Sequence, residues 1–377
     1  MIIGVLKEHG DENRVAFTPE HVAGLEKLKI EKLLVEKGAG NKAFFSDDDY
    51  TKAGAEVVNL DDLVQKADVI ASIHKPSDEV LKKIPKDKIL IGNYGPLFNL
   101  DIARQMCDLG LTSFSLDLVP RTTRAQAMDV LSSMATAAGY KAVLQAAAKL
   151  PKFFPMFMTA AGTIRPSKVL ILGAGVAGLQ AIATARRLGA VVEAFDVRLA
   201  AKEEVLSLGA KFVEVEGATD DVSAGGYAVE QTEEYKKRQS ELIKEHAENA
   251  DVVICTAQIP GRKAPLLVPK ETVEKMKPGS VIVDLAASTG GNCEVTQNDK
   301  TIEHDGVYVI GDSNLSSSIA SDASKMFGRN IINFLKIVVD KEGQLNLNFE
   351  DELVTGSCLS HEGNVLNERV KNILEKA

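Results

Sequence analysis

Short runs of apolar, mostly β-branched residues alternate along this chain with longer segments of helical periodicity. In the first third, strands are predicted at residues 2–6, 33–36, 69–73, 89–92 and 112–116. Helices are predicted between them, for example at 19–28 and 60–66. This alternation is typical of a parallel α/β sheet.

A second set of strands is predicted at residues 168–172, 191–195, 211–215, 251–255, 281–285 and 307–310. Between the two sets, residues 129–150 are rich in Ala, Leu and Met and predict a long connecting helix. A similar stretch at 320–339 is predicted to cross back to the first domain. We therefore expect two Rossmann-like domains with parallel sheets joined by long helices, one formed by 1–133 plus 325–377 and the other by 134–324. The polar segment after residue 340 carries little structural signal.

Residues 218–244 interrupt the second set. They begin with a glycine-containing stretch and continue as a densely charged segment. Two interpretations stay open: a solvated surface insertion, or a long loop that closes over a ligand.

Composition narrows the classes of function. The net charge of −9, without a block of Lys and Arg, argues against binding to nucleic acid or directly to an anionic membrane. The four cysteines and six histidines are scattered, so we predict no metal site and no disulfide framework. We see no signal peptide and no run of about 20 apolar residues that could span a membrane.

The clearest local signal of function is the motif Gly173-Ala174-Gly175-Val176-Ala177-Gly178, which follows the strand predicted at 168–172. In this pattern the first glycine permits a tight turn. The second lets a pyrophosphate approach the backbone, and the third lets the helix pack on the strand. The helix N-terminus then offers N–H groups to the phosphates. The motif predicts dinucleotide binding, whereas the glycine pair Gly38 and Gly40 is interpreted as a structural turn.

An acidic residue follows at the distance expected for this motif, about 20 residues on. Asp196 ends the next predicted strand and is followed by Val197 and Arg198. A carboxylate at this place accepts hydrogen bonds from ribose hydroxyls and repels a 2′-phosphate. It therefore favours NAD(H) over NADP(H), although Arg198 could weaken that preference.

Four further segments closely resemble the NAD(H)-binding component of proton-translocating transhydrogenases. They are residues 120–133 (PRTTRAQAMDVLSS) with the following Ala-Gly-Tyr140, residues 195–198 (FDVR), residues 224–227 (AGGY) and residues 283–293 (VDLAASTGGNC). The opening Lys7-Glu8 and residues 13–19 are shared with the related alanine dehydrogenases.

The resemblance implies roles for individual residues. Arg121, Asp129 and Ser132 would bind the nicotinamide half of NAD(H), and Gln126 would reach toward a second nucleotide. Tyr227 would lie on a mobile loop that closes over the bound nucleotide. Without the resemblance, Arg121 and Asp129 could equally form a salt bridge at a helix start, and Tyr227 could be an exposed aromatic residue without a role.

An alanine dehydrogenase is the alternative enzyme. Arg14 and Lys75 match its substrate-binding pair, but residues 89–99 lack its histidine and Ser288 stands where its catalytic aspartate is expected. Without these acid–base groups, proton transfer to a carbonyl has no agent. Transhydrogenases usually carry Glu at the position of Ser288, so the role of this residue stays open. A nucleotide-sensing protein with a degraded site is a further alternative.

Hydride transfer between two nicotinamides needs positioning and exclusion of water more than a general acid. Because the chain shows one convincing dinucleotide motif, NADP(H) is expected on a partner subunit. The resemblance implies that membrane-spanning partner subunits translocate the protons. It also implies a homodimer held peripherally on the cytoplasmic face of a bacterial membrane.

Overall fold

The computed structural model describes residues 1–215, 232–259 and 261–376. Its contacts divide the chain into two compact units. The first unit contains Met1–Met134 and Ser316–Ala377, and the second contains Ala135–Leu315. The sequence placed the return to the first domain nine residues later, at 324/325. Those domain limits stay a prediction.

The strands, numbered in chain order, belong to two large sheets and one small hairpin. They are β1 (Ile2–Val5), β2 (Lys32–Glu36), β3 (Glu56–Val58), β4 (Val69–Ala71), β5 (Ile89–Gly92), β6 (Thr112–Ser115), β7 (Phe157–Thr159), β8 (Gly162–Ile164), β9 (Lys168–Leu172), β10 (Val191–Phe195), β11 (Lys211–Phe212), β12 (Val252–Cys255), β13 (Val281–Asp284), β14 (Thr301–His304), β15 (Val307–Ile310), β16 (Cys358–His361) and β17 (Asn364–Val365).

The α-helices are numbered in the same way. They are α1 (Val22–Glu26), α2 (Asp47–Lys52), α3 (Leu60–Lys66), α4 (Asp78–Leu81), α5 (Asp101–Asp108), α6 (Val130–Lys149), α7 (Val176–Arg187), α8 (Ala201–Ser207), α9 (Glu233–Asn249), α10 (Lys270–Val273), α11 (Ala320–Val338), α12 (Glu352–Ser357) and α13 (Glu368–Leu374). Short 3₁₀ helices lie at Pro19–His21, Asn41–Ala43, Leu116–Leu118, Thr123–Met128, Ala287–Thr289 and Leu315–Ile319. Among the described helices, none is both long and apolar enough to cross a membrane.

The sheet of the first unit has the strand order β17-β16-β6-β5-β4-β1-β2-β3. Strands β1 to β6 are parallel, and β16 joins β6 in antiparallel orientation. Strands β4 and β5 are buried along their whole length. Their unbroken apolar character is expected when both faces of a parallel sheet are covered.

The sheet of the second unit has the order β11-β10-β9-β12-β13-β15-β14. All pairs are parallel except the edge pair β14 and β15. The chain runs outward from β9 through β10 to β11, and then restarts on the other side of β9 with β12. This reversal defines a topological switch point, where open α/β sheets bind their ligands at the carboxyl ends of the strands.

The structure confirms the α/β class and all eleven predicted strands, most to within one residue at each end. The two predicted long helices are α6 and α11. The polar segment after residue 340, which carried little structural signal in the sequence, forms β16, β17, α12 and α13. Strand β16 pairs with β6, more than 240 residues earlier, and β17 pairs with β16. The local sequence has no signal for the distant pairing.

Candidate nucleotide-binding site

The glycine loop, residues 173–178, lies at the switch point of the second sheet. Gly173 adopts φ +100°, and a Cβ there would lie 2.6 Å from the Thr256 hydroxyl. A Cβ at Gly178 would lie 1.9 Å from the carbonyl oxygen of Gly173. Both glycines are therefore required by the packing of the loop itself.

Gly175 differs from the other two glycines of the motif. A Cβ at this position would meet no atom within 4 Å, so the space in front of it is open. Gly175 also precedes the first residue of α7, a helix of twelve residues. The unpaired N–H groups and the positive dipole end of this helix therefore face a place where a phosphate can approach the backbone.

The start of α7 is packed closely against α6. A Cβ at Gly139 of α6 would lie 2.1 Å from the carbonyl oxygen of Ala177. Within the loop Ala174 is buried, whereas Val176 is exposed on the first turn of α7. The small residues of 173–178 thus fix the helix start against its neighbours and leave one side of the loop open.

Asp196 follows β10 and is buried. Its carboxylate accepts hydrogen bonds from the Ala174 N–H at 2.7 Å and from the Arg198 backbone N–H at 2.8 Å. The Arg198 guanidinium binds the same carboxylate through Nε and Nη2, at 2.9 and 2.8 Å. Asp196 therefore braces the glycine loop and holds the positive charge of Arg198, while Val197 packs on the core.

The end of β13 and the loop after it contain residues 283–293, one of the segments that resemble the transhydrogenase component. The buried Asp284 carboxylate accepts N–H groups from Ala286, Asn292 and Cys293 at 2.8–3.0 Å. The loop closes on this carboxylate, and Ser288 is left exposed on its 3₁₀ helix. Burial raises the pKa of the Cys293 thiol to about 11, so this sulfur is not a nucleophile at neutral pH.

In the first unit, the segment 120–133 is held from two sides. The Arg124 guanidinium pairs with Asp351 at 2.7 Å. Asn330 and Asn333 of α11 both donate their side-chain amides to the carbonyl oxygen of Ala127, at 2.9 Å each. Sequence reasoning missed these three partners, although Asn330 and Asn333 have the i, i+3 spacing that places two side chains on one helix face.

The predicted nicotinamide-binding residues all lie in this segment. Asp129 precedes α6 and accepts both the N–H and the hydroxyl of Ser132, at 2.9 and 2.6 Å. It thus caps the helix, as acidic residues commonly do. Arg121 and Gln126 are exposed, Gln126 on the 3₁₀ helix Thr123–Met128. Tyr227 and the rest of residues 216–231 lie outside the described residues.

Arg14 and Lys75, the pair shared with alanine dehydrogenases, are both engaged by acids. The Arg14 guanidinium binds the buried Glu12 carboxylate at 2.7–2.8 Å, and His74 approaches the same carboxylate at 2.7 Å. Burial opposes ionisation of Glu12, but Arg14 and His74 hold the pKa of its carboxyl well below the usual range. Lys75 pairs with Asp78 at 2.7 Å.

A second carboxyl group lies at the switch point of the first sheet. Glu8 follows β1 and accepts N–H groups from Ile73 and His74, which follow β4, at 2.5 and 3.3 Å. Burial raises the pKa of Glu8 to about 7. It lines a small surface pocket together with Lys7, Glu36, Ser72 and His74.

Comparison with known proteins agrees with this arrangement. Residues 4–138 match the alanine dehydrogenase/PNT N-terminal domain, and residues 142–368 match the alanine dehydrogenase/PNT C-terminal domain. The chain is 44% identical to the first part of NAD(P) transhydrogenase subunit alpha of Rhodospirillum rubrum, over 97% of this chain and 98% of the relative. It is 42% identical to NAD(P) transhydrogenase subunit alpha of Haemophilus influenzae, over 96% of this chain and 71% of the relative.

A solved structure gives the same result. The crystal structure of transhydrogenase from Sinorhizobium meliloti has a TM-score of 0.89 and 45% identity, over 97% of this chain and all of that chain. Alanine dehydrogenase of Mycolicibacterium smegmatis is more distant, at 27% identity over the whole of this chain and 97% of the relative. The chain therefore belongs to the alanine dehydrogenase/PNT family and, within it, to the NAD(P) transhydrogenase alpha subunits.

Proposed function

We propose that this chain binds NAD(H) and transfers hydride directly between NADH and NADP⁺ held on a partner subunit. Membrane-spanning partner subunits would couple this reaction to proton translocation. The glycine loop at the switch point carries the proposal, because Gly175 leaves open space in front of the N-terminus of α7. Membership of the family supports a nicotinamide nucleotide as the ligand.

The choice of NAD(H) rests on Asp196. Its buried negative charge stands beside the glycine loop, where it disfavours a 2′-phosphate. The same carboxylate holds the Arg198 guanidinium. With its charge paired in this way, Arg198 attracts a 2′-phosphate less strongly than a solvated arginine would. Val197 and the loop residues 173–178 complete the proposed adenosine and pyrophosphate site.

For the nicotinamide half we propose Arg121, Asp129 and Ser132, with Gln126 directed toward the second nucleotide. The Asp129–Ser132 contact supports this assignment because it orients both polar side chains at the start of α6. The pairing of Arg14 with Glu12 and of Lys75 with Asp78 speaks against an oxo-acid site of the alanine dehydrogenase kind. Tyr227 is retained as the proposed closing residue of the nucleotide site.

We further propose that the chain forms a homodimer. The hairpin of β7 and β8 is exposed along both strands, yet it carries Phe157 and Ile164 as cross-strand partners on one face. Phe153 packs against Phe157 with ring centroids 4.5 Å apart. A contiguous apolar surface on a two-stranded hairpin marks a contact with another protein chain. The dimer would sit on the cytoplasmic face of a bacterial membrane through its partner subunits.

The decisive experiment mixes the purified chain with NADH, an acetylpyridine analogue of NAD⁺ and an NADP(H)-binding transhydrogenase domain loaded with NADP(H). We expect rapid reduction of the analogue that stops when either protein is omitted. Gln126→Asn should slow this reaction far more than it weakens NADH binding. Equal losses in both would contradict the role of Gln126.

The same preparation tests the alternatives. Oxidation of NADH that depends on pyruvate and ammonium would identify an amino-acid dehydrogenase. Tight NADH binding without any transfer to an active partner domain would identify a nucleotide sensor.

A further inference from the structure

Three neighbouring strands of the second sheet, β9, β12 and β13, end in loops that are joined by hydrogen bonds. The loop after β13 is anchored by Asp284, whose carboxylate accepts the Asn292 N–H at 2.8 Å. The Asn292 side chain then reaches the loop after β12. Neither residue was singled out by the glycine motif, and both side chains are fully buried.

The Asn292 carboxamide uses both of its ends. Its Oδ1 accepts the Ala257 N–H at 3.0 Å, and its Nδ2 donates to the carbonyl oxygens of Ala257 and Pro265 at 2.9 and 2.8 Å. Both ends of the loop after β12 are therefore held by one side chain. Only a side-chain amide of this length offers one acceptor and two donors in this arrangement.

The adjacent residue, Thr256, continues the chain of contacts to the glycine loop. Its hydroxyl lies 2.9 Å from the carbonyl oxygen of Gly173 and 3.2 Å from that of Leu172. It also fills the space that a Cβ on Gly173 would occupy. A displacement of Ala257 would therefore move Thr256 against the turn of the glycine loop.

We propose that Asn292 is a positioning residue for nucleotide binding, which acts through Ala257 and Thr256 on the glycine loop. This inference rests on the proposed binding of NAD(H). Asn292 itself need not touch the nucleotide. It sets the place of the glycine loop relative to the loop after β12, so its loss weakens binding without removing any group that contacts the ligand.

The test measures NADH binding by the fluorescence of the nucleotide. The chain contains no tryptophan, so tryptophan emission does not interfere with this signal. Asn292→Asp replaces a donor with an acceptor opposite two carbonyl oxygens, and we expect the dissociation constant for NADH to rise about tenfold or more. Thr256→Val removes only the hydroxyl and should raise it about fivefold. Thr256→Ser keeps the hydroxyl and should bind within about twofold of the wild type.

Asp251→Asn is the matched control for a purely structural defect. Asp251 is also buried, but it precedes β12 at the amino-terminal end of the strands, opposite to the nucleotide site. There its carboxylate accepts the Lys168 N–H and pairs with Lys152. We expect it to lower the melting temperature and to leave the NADH affinity within about twofold. At saturating NADH, Asn292→Asp and Thr256→Val should retain their transfer rate to the partner domain within about threefold.

Two results would overturn different statements. A wild-type chain that binds no NADH contradicts the proposed function itself. A wild-type chain that binds NADH, with a folded Thr256→Val or Asn292→Asp of equal affinity, contradicts the positioning role alone. If Asn292→Asp does not fold, the comparison of Thr256→Val with Thr256→Ser still tests whether the loop after β12 positions the glycine loop.

Discussion

At the scale of single residues, the hydrogen-bond partners of the Asp196 carboxylate differ from those that the sequence motif predicted. Sequence reasoning expected its oxygens to bind ribose hydroxyls. In the structure they already accept four donors from Ala174 and Arg198. The residue therefore braces the loop and restrains a positive charge, and both effects bear on which nucleotide can bind.

We expect Asp196→Ala to weaken NADH binding about tenfold and to improve the affinity for NADPH relative to NADH. Removing the carboxylate frees the Arg198 guanidinium, which can then pair with a 2′-phosphate. Equilibrium titrations with both nucleotides measure the ratio. Glu193→Gln, on β10 three residues before Asp196 but paired with Lys211 and His246, is the control and should leave the ratio unchanged. An unaltered preference in Asp196→Ala would rule out this role.

Glu8 gives a second prediction at the residue scale, for the dependence of stability on pH. Burial raises its pKa from 4.5 to about 7, so the folded chain binds this proton more tightly than the unfolded chain. The contribution of Glu8 to stability is therefore complete below about pH 4.5 and is lost as the pH rises through about 7. The full change is on the order of 3 kcal/mol.

Glu8→Gln mimics the protonated form and removes this dependence. We expect the free energy of unfolding, measured by urea titration, to fall less between pH 5 and pH 8 in the variant than in the wild type. The difference between the two proteins isolates Glu8 from the other titrating groups. Parallel curves for the two proteins would show that the carboxyl group is ionised throughout.

At the scale of elements, the glycine loop separates residues that shape the fold from residues that leave room for a ligand. A Cβ on Gly178 would overlap the Gly173 carbonyl oxygen, whereas a Cβ on Gly175 would face open space. The sequence motif predicted these separate roles for the second and the third glycine. The atoms that surround each position in the structure agree with that division.

Gly178→Ala should destabilise the chain by about 1–3 kcal/mol, because its methyl group forces α7 away from the loop. Gly175→Ala should melt close to the wild-type temperature and still bind NADH poorly, because its methyl group points into the phosphate space. Thermal melting and nucleotide titration of both variants test this contrast. Normal NADH affinity in Gly175→Ala would place the pyrophosphate elsewhere.

The β7–β8 hairpin supplies the prediction for the proposed homodimer. Ile164→Lys puts a charge on the apolar face beside Phe157, and we expect it to shift the chain to monomers in sedimentation experiments. Thr163→Lys is the matched control, because Thr163 pairs with Met158 on the other face of the same hairpin. A monomeric wild type would contradict the homodimer, and a dimeric Ile164→Lys would contradict the role of this face.

At the scale of the whole molecule, the two units repeat one topology with different edges. Each sheet contains six parallel strands ordered around its first strand, and each has a switch point there. In the first unit the Lys7 N–H binds Glu36 at 2.7 Å, as the Ala174 N–H binds Asp196 in the second. However, β1 leads into a loop of residues 6–18 and not directly into a helix, and Glu8 is part of this loop.

From this difference we expect one NADH per chain. A carboxyl group at the first switch point disfavours phosphate, and no glycine turn opens a helix there within the described residues. Isothermal titration calorimetry of the purified chain should give a stoichiometry near one. Two equivalent sites would show that the first unit also binds a dinucleotide.

Local sequence patterns were sufficient for most elements of the fold. Strands such as β5, β9 and β10 were predicted to the residue, because a buried parallel strand is a continuous apolar run bounded by polar residues. The short strands β3, β14 and β16, which lie at or next to the edges of their sheets, were missed. Strands β3 and β14 bury little surface, so their apolar pattern is weak. Strand β16 is buried, but it is short and is held partly by a hydroxyl contact between Ser113 and Ser360.

The sequence by itself determined the α/β class, the long helices, the glycine loop and the family to which the chain belongs. These features depend on residue type and spacing over short distances. The tertiary structure alone decided which donors saturate Asp196, how Asn330 and Asn333 hold the Ala127 carbonyl, and how Asn292 joins two loops to the glycine turn. Such contacts join residues far apart in the chain, and a single polar side chain carries no local signal of its distant partner.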